Sequence, residues 1–200
     1  MLRRHMGETR DPIGVVLAGG AGRRIGGAKA ALALDGTPLI AYPIAALREA
    51  LGDVAVVVKR TTELPALPGV AIWIEPDAPR HPLLGVVEAL RRADGRAVLV
   101  CAADMPFVTA ALVRELATVD ACGAAAVVPR AGGRLQPLLA RYEPAALAAL
   151  EAALAAAGSL TDVVARLGPQ VLDVADERPF FNVNAPEDLL LASALRQHDA

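Results

Sequence analysis

Apolar positions along the chain fall in short unbroken runs. Ile13–Leu17, Val54–Val58, Val70–Ile74, Ala97–Cys101 and Ala124–Val128 read as strands. They are apolar at consecutive rather than alternate positions, so each is expected to be buried on both faces, as in a parallel sheet covered by helices. Between them, Leu39–Leu51, Leu83–Ala93 and Ala110–Thr118 have helical patterns. The order β-α-β-β-α-β-α-β predicts a doubly wound α/β fold.

The last third reads differently. Leu135–Tyr142 is expected to return as an antiparallel strand. Pro144–Ala157 is a long Ala/Leu helix with proline at its start and Gly158 just past its end. Thr161–Leu167 reads as a short helix and Val171–Val174 as a further strand. Asn184–Leu189 opens a final helix, with Pro186 and two acids in its first turn. Residues 1–12 are polar and charged and are expected to form a mobile tail ahead of a single domain over 13–200.

Composition narrows the function classes. The chain is 54% hydrophobic but only 3% aromatic, so its core is aliphatic. Its net charge of −2 carries no basic stripe, which argues against a nucleic-acid partner. Cys101 and Cys122 form no CxxC pattern and read as two buried thiols in a reducing compartment. No apolar stretch reaches the roughly 18 residues of a membrane span, and the N-terminus lacks a signal-peptide core. The expectation is a soluble cytoplasmic protein, and a monomer, since no long heptad demands a partner copy.

Chemistry concentrates after the first strand, in Leu17-Ala-Gly-Gly-Ala-Gly-Arg-Arg-Ile-Gly-Gly-Ala-Lys29. Five glycines in nine residues let backbone N–H groups approach a ligand, and Arg23, Arg24 and Lys29 add positive charge. A strand feeding such a loop suits phosphates. Three schemes compete. A P-loop fails because Ala28 stands where its lysine belongs and Ala30 follows Lys29. A dinucleotide fingerprint fails by one residue, because Gly26 replaces a glycine three after Gly22. The Tyr-x-x-x-Lys pair of some reductases is also missing, since Ala46 and Ala146 follow Tyr42 and Tyr142 at that spacing. The pattern G-G-x-x-x-R-x-G-x-x-K fits Gly19, Gly20, Arg24, Gly26 and Lys29, as in nucleotidyltransferases. Ligands of open α/β sheets bind beyond the carboxyl ends of the strands. The segments to watch are therefore 19–29, 76–85, 102–106 and 182–186.

Three stretches together resemble the molybdenum cofactor guanylyltransferases: Gly14–Gly20 with the loop to Lys29, Cys101-Ala-Ala-Asp-Met-Pro-Phe107, and Phe181-Asn-Val-Asn-Ala-Pro-Glu-Asp-Leu189. They occur in that family's order along nearly the whole chain. The third is the most specific, because most relatives in the superfamily carry aspartate where Asn184 stands. The resemblance implies a three-layer Rossmann-like nucleotidyltransferase fold, with a mixed, mostly parallel sheet flanked by helices. It implies transfer of GMP from GTP to molybdopterin bearing molybdenum, with release of pyrophosphate. Two departures stand out. Ala28 precedes the loop lysine where the family often has Asp or Pro, and His81-Pro-Leu-Leu-Gly85 replaces its usual Gly-Pro-Leu-Ala-Gly.

On this resemblance Leu17, Ala18, Gly19, Gly20, Gly22 and Lys29 would bind GTP. So would an acid before the His81 stretch, Asp77 or Glu75, of which Asp77 is preferred because it precedes the proline-rich turn. Arg24 and Lys29 would stabilise the triphosphate and the leaving pyrophosphate. The attacking phosphate is already anionic, so no general base is needed; charge neutralisation and alignment are. Mg²⁺ suits that task, since it binds through few protein oxygens and keeps phosphate oxygens and waters. Asp104, just past a buried strand, is the candidate magnesium ligand and a candidate catalytic residue through that metal. Asn184 would either add an amide oxygen to the metal or hold the pterin phosphate, and Asn182, two residues away, would point to the same side. Proteins that deliver cofactor or receive product are further candidate partners. The rival readings are a cytidylyltransferase acting on the same pterin, a non-catalytic nucleotide- or cofactor-binding adaptor, and an NAD-dependent oxidoreductase.

Overall fold

The computed structural model describes residues 11–19 and 32–198. At its centre lies β1 (Ile13–Leu17), followed by a small antiparallel hairpin of β2 (Ala33–Leu34) and β3 (Thr37–Pro38) and then α1 (Ala41–Ala50). The chain continues through β4 (Val54–Lys59), β5 (Ala71–Glu75), α2 (Pro82–Arg92), β6 (Val98–Ala102) and α3 (Ala110–Thr118). Next come β7 (Ala126–Ala131), β8 (Arg134–Leu135) and β9 (Leu139–Tyr142). The remaining elements are α4 (Leu147–Ala155), entered through a 3₁₀ turn, α5 (Leu160–Arg166), β10 (Gln170–Asp173) and α6 (Pro186–Gln197).

The main sheet runs β10-β7-β9-β6-β1-β4-β5, with β8 paired to β7. β1 pairs in parallel with β4 on one side and β6 on the other, while β9 runs antiparallel between β6 and β7. The expected mixed, mostly parallel sheet is what forms. The consecutive apolar runs are explained by two cores. Val16, Val56, Val58 and Leu99 face α1 and α3; Val15, Val57, Val98 and Val100 face α2, α4 and α5. A third cluster, Leu34, Leu39, Val183 and Ala192, fixes α6 over the small hairpin. No helix among the described residues is long and apolar enough to cross a membrane.

Three expectations are corrected. β5 is not buried on both faces: it is the last strand of the sheet, and Ile72 and Ile74 are 44% and 37% exposed. Residues 135–142 are not one strand, because Gln136–Leu138 make a turn around Pro137, which has no N–H to give a ladder. Of the two cysteines only Cys101 is buried; Cys122 lies exposed in the turn after α3, with a φ of +51°. The expected tail over residues 1–12 falls almost wholly outside the described residues.

Candidate functional site

The chain steps from β1 to β4 and β5 on one side of the sheet, then returns through α2 to β6 on the other side of β1. The carboxyl ends of β1 and β6 therefore border a topological switch point, where an open α/β sheet leaves a crevice. Backbone bonds tie the strand ends together. Ala18 N–H donates to the Val57 carbonyl at 2.8 Å, and Ala103 N–H donates to the Leu17 carbonyl at 3.1 Å. Leu17, Ala18 and Gly19 thus lie on the rim of this crevice. Gly20, Gly22, Arg24 and Lys29 lie outside the described residues.

Asp104 stands two residues past β6, half-buried, between the strand and the turn that precedes α3. Its backbone carbonyl accepts a hydrogen bond from Val183 N–H at 2.9 Å, which brings the segment carrying Asn182 and Asn184 to the end of β6. That segment is braced locally. Asn182 Nδ2 donates to the Phe180 carbonyl at 2.9 Å, and Asn184 Nδ2 to the Asn182 carbonyl at 3.4 Å. Asp188 Oδ2, in the first turn of α6, accepts from Asn184 N–H at 2.7 Å and Ala185 N–H at 2.9 Å. Asp104 is thereby brought next to Asn182 and Asn184, which lie some eighty residues further along the chain. Thr109, not Asp104, caps α3, its Oγ1 accepting from Leu112 N–H at 3.3 Å.

On the other side of β1 the structure places Glu75, and not Asp77, against the loop. Glu75 ends β5 and is 6% exposed, whereas Asp77 is exposed beyond the strand. A Cβ on Gly19 would collide with Glu75 Oε1, and one on Gly85, in α2, would sit 3.4 Å from Glu75 Oε2. Gly19 is therefore needed for the carboxylate to lie where it does, whereas the closest approach at Gly85 is to Leu17 Cδ2, at 3.1 Å. Lys59 is Glu75's register partner on β4 and is also buried; its Nζ lies 3.1 Å from Glu75 Oε1 and donates to the Pro76 carbonyl at 2.7 Å. Burial pushes the Glu75 carboxyl above its ordinary range, opposed by the hydrogen bond and charge of Lys59 and reinforced by Glu88. Glu75 Oε2 finds no hydrogen-bond partner among the described residues. His81 caps α2, its Nδ1 accepting from Leu83 N–H at 3.1 Å, and so holds a structural position.

Lys59 is the residue that the sequence reading passes over. Its signal was a charged side chain ending an otherwise apolar strand, a position that Glu75 shares.

Comparison with known proteins is consistent with this geometry. A family model described as the MobA-like NTP transferase domain matches residues 14–171. A molybdenum cofactor guanylyltransferase of Cereibacter sphaeroides is 36% identical, over 94% of this chain and 98% of its own. One from Acidiphilium cryptum is also 36% identical, over 93% of this chain and 98% of its own. Among solved structures, molybdopterin-guanine dinucleotide biosynthesis protein A from Archaeoglobus fulgidus superposes with a TM-score of 0.72 at 24% identity, covering 93% of this chain and 99% of that one. The 2-C-methyl-D-erythritol 4-phosphate cytidylyltransferase from Thermus thermophilus does so with a TM-score of 0.69 at 25% identity, covering 94% and 99%.

Proposed function

The chain belongs to the MobA-like NTP transferase family, and from that premise we propose that it transfers GMP from GTP to molybdopterin bearing molybdenum, releasing pyrophosphate. The observation that carries the reading is the Val183–Asp104 bond, which sets an acid and two asparagines together at the switch point beside the start of the glycine loop.

In this reaction an oxygen of the pterin's terminal phosphate forms a bond to the α-phosphorus of GTP. The bond from that phosphorus to the bridging oxygen breaks, and pyrophosphate leaves with the electron pair. Two anions must meet, so positioning and charge neutralisation do the catalysis. Leu17–Gly19, with the loop through Arg24 and Lys29, would hold the triphosphate. Asn182 and Asn184 would position the pterin phosphate.

The donor set suits Mg²⁺. Asp104 would offer a carboxylate and Asn184 an amide, both hard oxygen donors of the kind Mg²⁺ takes alongside phosphate oxygens. No group of three or more His, Cys, Asp or Glu among the described residues is arranged to cage a metal. Bound at Asp104 and Asn184, Mg²⁺ would supply neutralisation of the phosphate oxygens.

Base selection falls to the β4–β5 side. The fold does not decide it, since the Thermus relative is a cytidylyltransferase of the same architecture. The buried, unpartnered Glu75 oxygen favours guanine. Guanine presents N1–H and N2–H₂ donors side by side, which a carboxylate accepts. Cytosine presents one amino group beside acceptor atoms that a carboxylate repels.

The test is pyrophosphate release from GTP and Mg²⁺, with and without molybdenum-loaded molybdopterin. Release that depends on the pterin is expected. Equal release without it would sink the reading.

A further inference from the structure

The fold does not require a charge pair at the ends of β4 and β5. On the same face of these strands Val57 and Trp73 join the apolar core under α2. Replacing a buried ion pair with apolar side chains is commonly neutral or stabilising. Yet Lys59 and Glu75 are 4% and 6% exposed. The pair is also lopsided. Lys59 engages Oε1 and the Pro76 carbonyl, while Oε2 is left without a partner among the described residues, beside Gly85 and the end of β1. An unsatisfied buried carboxylate oxygen costs stability unless a ligand completes it.

We propose that Lys59 is a positioning residue for base selection: by holding Glu75 Oε1, it presents Oε2 to the N1–H and N2–H₂ donors of a guanine base. This rests on the guanylyl-transfer reading above and adds the residue that sets its base preference. A carboxylate accepts from both donors, whereas a protonated carboxyl turns one of its oxygens into a competing donor. Burial and Glu88 of α2 raise the Glu75 carboxyl, and Lys59 alone opposes them. Glu88 is itself paired with Arg91 at 2.7 Å, and Arg92, the other cation of that helix packed here, spends its guanidinium on the Ile74 carbonyl at 2.8 Å. With Lys59 removed, only the raising influences on Glu75 remain. The carboxyl then takes its proton at higher pH.

The experiment compares GTP with inosine triphosphate, which lacks the 2-amino group, across a pH series at saturating molybdenum-loaded molybdopterin. In Lys59→Met, KM for GTP is expected to rise about ten- to a hundredfold, the scale of a hydrogen bond to a charged group, with a smaller change in kcat. The preference for GTP over inosine triphosphate should collapse to within about threefold, and the acidic limb of kcat/KM should move to higher pH. Lys59→Arg should restore both preference and limb. If the Met variant does not fold, Lys59→Gln, which keeps a donor without the charge, must show the same limb shift. A variant that keeps the wild-type preference and limb, or that loses activity equally with every triphosphate, overturns the proposal. Failure of the underlying reading shows in the wild type, as indifference among GTP, inosine triphosphate and ATP, and the proposal then falls with it.

Discussion

Asp104 is the residue on which the proposed chemistry turns. Substituting Asp104→Ala should reduce transfer by about a thousandfold, the scale of losing a principal charge-stabilising group, while GTP affinity changes only a few-fold. Isothermal titration with GTP beside a turnover assay checks this; full activity in the variant would remove Asp104 from the mechanism. Asp104, Asn182 and Asn184 were legible in the sequence because each lies in a short motif next to a strand or helix end. Glu75 was not distinguishable from Asp77 on those grounds. What separates them is where the strand ends and its register: Glu75 is the last residue of β5, on the Trp73 face and opposite Lys59, whereas Asp77 lies past the strand in solvent. A partner sixteen positions away in sequence leaves no local pattern to read.

At the scale of elements, two junctions hold the site in place. Asp188, at the start of α6, accepts from Asn184 and Ala185 N–H and so fixes the asparagine segment while completing the helix N-terminus. Asp188→Ala should cost roughly 1 kcal/mol of stability and raise KM for the pterin substrate several-fold. GTP binding should be unchanged; an equal loss of both would argue against a pterin role for this segment. The second junction is Arg141 on β9, buried and donating to the carbonyls of Leu116, Ala117 and Val119 at 2.8, 2.6 and 2.9 Å. It supplies the donors that the C-terminal end of α3 lacks. Arg141→Met should lower stability by roughly 2–4 kcal/mol, read from urea melts, because the carbonyls lose their donor. The central strands and the helices were readable from their apolar runs. The exposed edge of β5 and the turn at Gln136–Leu138 were not, since edge position comes from sheet order and a three-residue turn hides inside an apolar stretch.

For the whole molecule, the strand order does most of the functional work. Placing β1 between β4 and β6 sets Leu17–Gly19, where the glycine loop starts, between Asp104 with the asparagine segment on one side and the Lys59–Glu75 pair on the other. The α/β class followed from the alternation of strand and helix patterns. The order of strands could not, because pairing is decided by which faces remain to be covered. The same architecture serves a cytidylyltransferase, so the choice of base rests with a few side chains and not with the fold. Guanylyl transfer is tested most directly by offering equimolar GTP and CTP together with molybdenum-loaded molybdopterin and Mg²⁺, and weighing the pterin product by mass spectrometry. Guanylyl transfer gives a pterin heavier by a guanylyl unit, with GTP alone consumed; a cytidylyl adduct, or an unmodified pterin after GTP turnover, rules it out.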